Sequence, residues 1–596
     1  MAVENRRMTV SDVIADALSD FGVTDIFCVV GGAIAPLSDR FARDSRFQMH
    51  YLLHEQSAGI SAEAFAAAFG KPAVLLVTSG PGSTNAMTPL VAAWTNSSPL
   101  IVLAGQVRSQ DVQSAGGNRQ WGSQHVDSIS MVSPFTKIAR RIDADSVSAH
   151  IASDLQVAIS RRPGPVWFEI PVDVQRAPAR KIYATHQKME TVQIEQLRDF
   201  SDSLVAAVKE ASRPLILLGN GCRSQLEATR EFIHQLNWPV QLTWPSLDFL
   251  STNDPLYAGR PGSISTWGAN LTVQNADLVL ILGARLDWGQ VAFRPENFAP
   301  NASIFRIEID SEEIRRIPSD RVHDACASVE EFLVEVSKSD LQLEVNRHDI
   351  SLWKKQVEQW KQELSSFGSQ QPVQGISMYE MIDLISENSH LFSTIVSGSS
   401  GTCTEQVMQA ISPILDQRVM NSGGLGSMGF GVAGSIGAYY ATKKPVLCLE
   451  SDGSFAMNPQ DIAFIAENNL PIRILIMDSE GYKSMLLSQR RGNYEVSGAD
   501  KDSGVYLLNP VAVAKSMGME AHRVDFDKNW KEKIIKFLNS KSPELLQVIV
   551  SKEEEAAPRV ISKPNSEGRM ETAKLDDLWP PLLPEQISKF QPKWRK

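Results

Sequence analysis

Residues 446–485, VLCLESDGSFAMNPQDIAFIAENNLPIRILIMDSEGYKSM, constrain the fold of this 596-residue chain more than any other stretch. Two short apolar runs, VLCLE and residues 472–477, flank an acidic-glycine turn at Asp452-Gly453-Ser454 and a helical pattern over 459–468. Short, uninterrupted apolar strands joined by a helix belong to a parallel sheet covered on both faces. Ligands of such sheets bind beyond the carboxyl ends of the strands. Asp452 and the 478–481 turn stand at two neighbouring ends. A carboxylate facing a polar turn at a helix N-terminus suits a divalent cation that holds a diphosphate. The spacing alone leaves open an ordinary βαβ unit with a solvated turn.

The same alternation runs through the rest of the chain, which is too long for a single core. Residues 9–22 carry a Ser/Asp cap and a helical apolar pattern, and strand DIFCVV runs into Gly31-Gly32. A strand at 51–53, an Ala-rich helix over 55–69 and a strand at 73–78 lead to SGPGSTN. Residues 1–180 are therefore expected to form a doubly wound parallel-sheet domain. Polar residues 181–195 read as a linker. PLILLGNGC, PVQLTWPS, ADLVLILGARLD and SIFRIEIDSEEI outline a second α/β domain over 195–345. STIVSGSSG, SGGLGSMGFG, the opening stretch and ELLQVIVS outline a third over 375–552. The first and third share an architecture without a sequence repeat. The tail, 553–596, is rich in Glu, Pro, Lys and Ser and cannot build a core. It either wanders or straps over a domain.

Composition excludes several functions. A net charge of −11 argues against a nucleic-acid or anionic-membrane surface. No apolar run approaches the ~18 residues of a membrane span, and MAVENRRMTV lacks the apolar core of a secretion signal. Cys28, Cys222, Cys326, Cys403 and Cys448 are scattered, without metal-type spacing. A cytoplasmic protein is expected.

Taken together, HEQ at a strand end, SGPGSTN soon after it, SGGLGSMGFG, and DGSF…NNLP…GY resemble the thiamin-diphosphate enzymes of the acetohydroxyacid synthase and pyruvate decarboxylase superfamily. The likeness covers nearly the whole chain, domain by domain. It implies that Glu55 faces N1′ of the cofactor's aminopyrimidine and shares a proton with it, a role that calls for an apolar site. It implies that Met428 supports the bent cofactor and that the Gly426 carbonyl accepts from the 4′-amine. Gly31, Gly398, Ser399, Ser400, Ser427, Gly453, Ser454 and Tyr482 would line the rest of the cofactor site. The metal, Mg²⁺, would be held by Asp452, Ser479 and the Gly481 carbonyl. The family's usual asparagine is replaced there by Ser479, and the first glycine of its GDG by Ser451. An oxygen-only ligand set still suits Mg²⁺.

In the middle domain, Gly219, Gly221, Gly259, Arg285, Asp287, Glu308 and Asp310 match the turns that hold a non-redox FAD in the synthases. Gly289 stands where those enzymes have a second arginine, and a domain that has lost its nucleotide is the alternative. Gln124, His125, Met485 and Gln489 are candidates for the substrate pocket. The likeness implies decarboxylation of a 2-oxo acid, pyruvate or larger, and transfer of the remaining acyl-anion unit to a second carbonyl. Simple decarboxylation and a non-catalytic binding subunit are the alternatives. Ser488 and Val172 replace the synthase tryptophan and lysine. The chain thus looks closer to a subgroup from polysaccharide and natural-product pathways than to the branched-chain amino-acid enzyme. The resemblance also implies a homodimer or homotetramer with active sites between subunits.

Overall fold

Six parallel strands form the first sheet: β1 (Asp25–Cys28), β2 (Gln48–Tyr51), β3 (Ala73–Val77), β4 (Leu100–Gln106), β5 (Ile138–Arg141) and β6 (Val166–Pro171). They lie in the order β2-β1-β3-β4-β6-β5. The second sheet holds β7 (Pro214–Leu218), β8 (Val240–Leu242), β9 (Leu278–Leu282), β10 (Ser303–Glu308) and β11 (Val322–Cys326), ordered β11-β10-β9-β7-β8. The third holds β12 (Thr394–Ser397), β13 (Arg418–Met420), β14 (Val446–Ser451), β15 (Ile472–Asp478), β16 (Glu520–Val524) and β17 (Glu544–Ile549), ordered β13-β12-β14-β15-β17-β16. Every pairing in the three sheets is parallel. The first and third sheets thus share one winding, which their sequences do not advertise.

This computed structural model describes residues 8–114, 116–180, 194–315, 320–368, 373–564 and 567–590. The expected linker lies outside the described residues except for its last two positions, which open the helix Ile194–Glu210. The N-terminal segment read for a secretion signal also lies outside them up to residue 7.

The opening stretch folds as read, with one refinement. After β14 the chain turns at once into a short helix, Asp452–Phe455, and the following helix starts at Asp461. Asp452 therefore heads a helical turn and does not sit in a loop.

The Ala-rich helix Glu55–Phe69 is buried on two sides. One side lies on the first sheet and the other on the glycine-rich helix Phe430–Thr442 of the third domain. A Cβ built on Gly437 would stand 2.0 Å from the Ser61 carbonyl oxygen, so only glycine permits this approach. Ser61 Oγ donates to the Ala433 carbonyl at 2.7 Å, and Asn458 Nδ2 donates to Ser57 Oγ at 2.7 Å. The small residues of both helices serve a contact between domains, and one apolar cluster runs through both.

The tail is a strap. Val560 N–H donates to Ser263 O at 2.7 Å, Asn270 Nδ2 to Leu575 O at 2.7 Å, and Trp267 Nε1 to Pro580 O at 3.1 Å. Leu575 is buried in the middle domain's core beside Ala284, Leu286 and Phe298.

Candidate active site

The carboxyl ends of the first and third sheets each carry a group of the expected site residues. In the first, Glu55 is the first residue of its helix, with His54 as the cap. Its Oε2 accepts from Asn85 Nδ2 at 2.9 Å, and Asn85 closes the short helix Pro81–Asn85 that SGPGSTN forms after β3. Gly31 packs on Thr78, whose buried hydroxyl has no partner among the described residues. Gln124, left-handed at φ 64°, lies against Gly80, where an added Cβ would come within 3.0 Å of its Cα. His125 follows it with a buried Nδ1 that has no partner among the described residues. Glu55, Gly31, Gln124 and His125 thus gather around one strand-end cluster.

Glu55 itself is half-buried, less enclosed than the expected apolar site. The cause is its position at a helix start on the sheet edge. Ser57, two residues on and so about 200° around the helix, faces Asn458 of the third domain. Glu55 itself has no hydrogen bond to the third domain among the described residues, its carboxylate being held by Asn85 of the first.

In the third domain, Asp452 Oδ2 accepts from Gly481 N at 2.8 Å, and Ser479 Oγ donates to Gly481 O at 3.1 Å. The three expected metal ligands meet in one turn. Burial, then the adjacent Asp478 carboxyl, push Asp452 well above the usual carboxylate range. Two buried carboxyls with a hydroxyl and a carbonyl beside them form a hard oxygen set that a divalent cation would neutralise. Among the described residues no cluster of three His, Cys, Asp or Glu side chains competes as a metal site.

Around this turn, a Cβ on Gly453 would stand 2.4 Å from the Tyr482 ring and 3.7 Å from Met428 Cε. Ser454 Oγ accepts from Gly429 N at 2.8 Å and anchors the loop behind Met428. Gly426 is left-handed at φ 70°. The buried hydroxyls of Ser397 and Ser427 have no partner among the described residues, as polar groups awaiting a ligand would not. Gly398 is glycine because Glu450 fills the space beside it, its Oε1 lying 2.3 Å from where a Cβ would be. Ser399 and Ser400 lead into the helix Gly401–Ala410, and Ser399 Oγ accepts from Ser422 N at 2.9 Å. Of the pocket candidates, Met485 is exposed, whereas Gln489 is spent on Ser497 at 2.9 Å and 3.2 Å.

The middle-domain candidates are accounted for within the chain. Gly219 and Gly221 pack backbone to backbone on the Gly283-Ala284 turn, and Gly259 packs on Ala269. Arg285 donates to Thr95 O at 2.9 Å. Asp287 takes Gln290 N at 3.0 Å, and Glu308 takes Ile309 N at 2.9 Å. Asp310 caps the helix Ser311–Ile314 and pairs with Arg162 of the first domain at 2.6 Å.

Sequence reading did not single out Asn85, although it stands in a quoted motif. It also passed over Glu63 and Asn96, which only the domain contact makes visible.

Two domains of identical winding, one with a carboxylate at its strand ends and the other with an acidic turn near hydroxyls that have no partner among the described residues, make a class of fold suited to a diphosphate-bearing cofactor. The chain belongs to the thiamine pyrophosphate enzyme family. Its models match here as the N-terminal TPP binding domain over 8–131, the central domain over 201–336 and the C-terminal TPP binding domain over 399–548. The chain is 28% identical to the acetolactate synthase isozyme 1 large subunit of Escherichia coli (strain K12), over 93% of its own length and 96% of that subunit. It is 29% identical to the chloroplastic acetolactate synthase 2 of Nicotiana tabacum, over 93% and 83%. The mitochondrial acetolactate synthase of Schizosaccharomyces pombe is 28% identical, over 93% and 85%. It is an acetolactate synthase-like enzyme that depends on thiamin diphosphate for decarboxylation and carboligation.

Proposed function

We propose that the chain decarboxylates a 2-oxo acid, pyruvate or larger, and joins the remaining acyl unit to a second carbonyl, at sites shared between two copies. The observation that supports this reading is a half-buried Glu55, held by Asn85 at the strand ends of the first domain, together with the Asp452, Met428 and Tyr482 cluster at those of the third. Thiamin diphosphate, when bound, supplies the electron sink for decarboxylation. Asp452, Ser479 and the Gly481 carbonyl would hold Mg²⁺, and the Ser399–Ser400 turn with the helix behind it would receive the diphosphate. Met428 would brace the cofactor, and Gly426 would accept a hydrogen bond from its amine. Glu55 would hold a proton at the pyrimidine edge, in an enclosure that the partner chain completes. Gly219, Gly221, Gly259, Arg285, Asp287, Glu308 and Asp310 would be the middle-domain contacts of a non-redox FAD. The replacement of the synthase tryptophan and lysine by Ser488 and Val172 favours an acceptor other than 2-oxobutyrate.

The decisive variant is Glu55→Gln. It should still bind thiamin diphosphate with Mg²⁺, while acyloin formation from a 2-oxo acid falls by at least about a hundredfold. Unchanged carboligation with the cofactor bound sinks the assignment.

A further inference from the structure

Asn96, the last residue of the helix Met87–Asn96, stands where the first and third domains meet. Its amide is almost fully used. Nδ2 donates to Glu63 Oε1 at 3.0 Å and to Ser422 Oγ at 2.7 Å, and Oδ1 accepts from Gly424 N at 3.1 Å. A Cβ on Gly424 would stand 2.7 Å from Asn96 Oδ1 and 2.9 Å from Thr95 Oγ1, so the loop lies directly on this residue. The network continues into the site. Ser422 N donates to Ser399 Oγ at 2.9 Å, and Ser422 O accepts from Gly426 N at 3.0 Å. One side-chain amide thus connects the first domain to the 422–428 loop, which carries Gly426 and Met428, and through Ser422 to the diphosphate turn.

We infer that Asn96 is the positioning residue of the cofactor loop, fixing Gly426 and Met428 from the first domain of the same chain. The inference rests on the reading of Gly426 and Met428 given above. The chemistry selects asparagine. Two donors and one acceptor are needed in one plane, and an aspartate offers acceptors only. Glu63 backs the amide from the same helix that begins with Glu55. That helix therefore begins with Glu55 and also steadies the cofactor loop through Glu63.

The test uses the full-length chain as Asn96→Ala, Asn96→Asp and Ser422→Ala. Binding of thiamin diphosphate in Mg²⁺ is titrated by calorimetry, and the bound cofactor is followed by near-ultraviolet circular dichroism. Asn96→Ala and Asn96→Asp should each weaken binding by about tenfold or more, as lost supporting contacts do, and should diminish the bound-cofactor dichroism. Ser422→Ala, which leaves the Glu63–Asn96 contact intact, should shift both readouts the same way by a smaller factor. If Asn96→Ala only lowers the melting temperature and leaves affinity and dichroism unchanged, Asn96 is a packing residue and the proposal is overturned. Should Asn96→Ala fail to fold, wild-type affinity and dichroism in Ser422→Ala overturn it equally. A wild-type chain that binds no thiamin diphosphate overturns the reading of the site itself, a result distinct from wild-type binding with indifferent variants.

Discussion

Glu63 is fully buried, with Asn96 and Ser98 on one carboxyl oxygen and no partner for the other among the described residues. Burial pushes its pKa up to about 7, and the two hydrogen bonds offset only part of that. Asp461 sits in the same seam, also pushed by burial to about 7 against Ser57 and Asn458. A carboxyl raised in the folded state contributes stability that is complete below its ordinary pKa and is lost as pH rises through 7. For Glu63 alone this corresponds to roughly 3 kcal/mol. Melting temperature should therefore fall between about pH 4.5 and pH 7, and Glu63→Gln should remove Glu63's share of that fall, leaving the share of Asp461. Parallel curves for the two proteins would show that Glu63 does not titrate in this range. Glu55 could be found in the sequence because its motif is local. Glu63 could not, since an acid in SAEAFAAAF reads as the polar face of a helix until a second domain is seen to cover it. Ser479 stood out as a departure from the family pattern, yet only the structure shows its hydroxyl on the Gly481 carbonyl.

At the scale of elements, the fold depends on how closely the Glu55–Phe69 and Phe430–Thr442 helices approach. The Cβ of an alanine at Gly437 would meet the Ser61 carbonyl at 2.0 Å and the Phe65 nitrogen at 2.9 Å, both backbone atoms that cannot rotate away. Gly437→Ala should therefore destabilise the chain by about 1–3 kcal/mol or more through overpacking. Gly117→Ala, where the added carbon meets nothing within 4 Å, is the control and should leave the melting temperature unchanged. Equal melting temperatures for the two variants would mean that the helices can separate without cost. The central strands and main helices were legible, because apolar runs and Gly-rich turns are local signals. The strand read at 51–53 lies at Gln48–Tyr51, and the more polar edge strands β5, β11 and β16 were not read. What the helices pack against was not legible either. Periodicity shows which face carries small residues and is silent on what lies opposite, so the Ala-rich helix gave no sign that it is an interdomain seam. The tail was ambiguous for a related reason. Its attachment rests on few anchors, Leu575 and a handful of backbone hydrogen bonds, which composition averages away.

For the molecule as a whole, the proposed site combines Glu55 of one copy with Asp452 of a second. Val30 and Leu53 leave apolar side chains 62% and 68% exposed near Glu55, and Met457 and Met485 are about half exposed near Asp452. Apolar residues that rim a site on both halves are suited to burial by a second copy. This arrangement predicts complementation in trans. A chain carrying Glu55→Gln lacks the first half-site, and one carrying Asp452→Asn lacks the second, so each alone should be inactive. In a mixed dimer one site combines the intact Glu55 of one chain with the intact Asp452 of the other, and the second site combines both defects. Random pairing on co-expression makes about half the dimers mixed, each with one working site of two. Carboligation should then recover to about a quarter of the wild-type value at equal protein. Sites built within one chain would give no recovery at any mixing ratio. The experiment separates the two architectures without depending on which 2-oxo acid is the donor, provided that one substrate pair turns over measurably in the wild type.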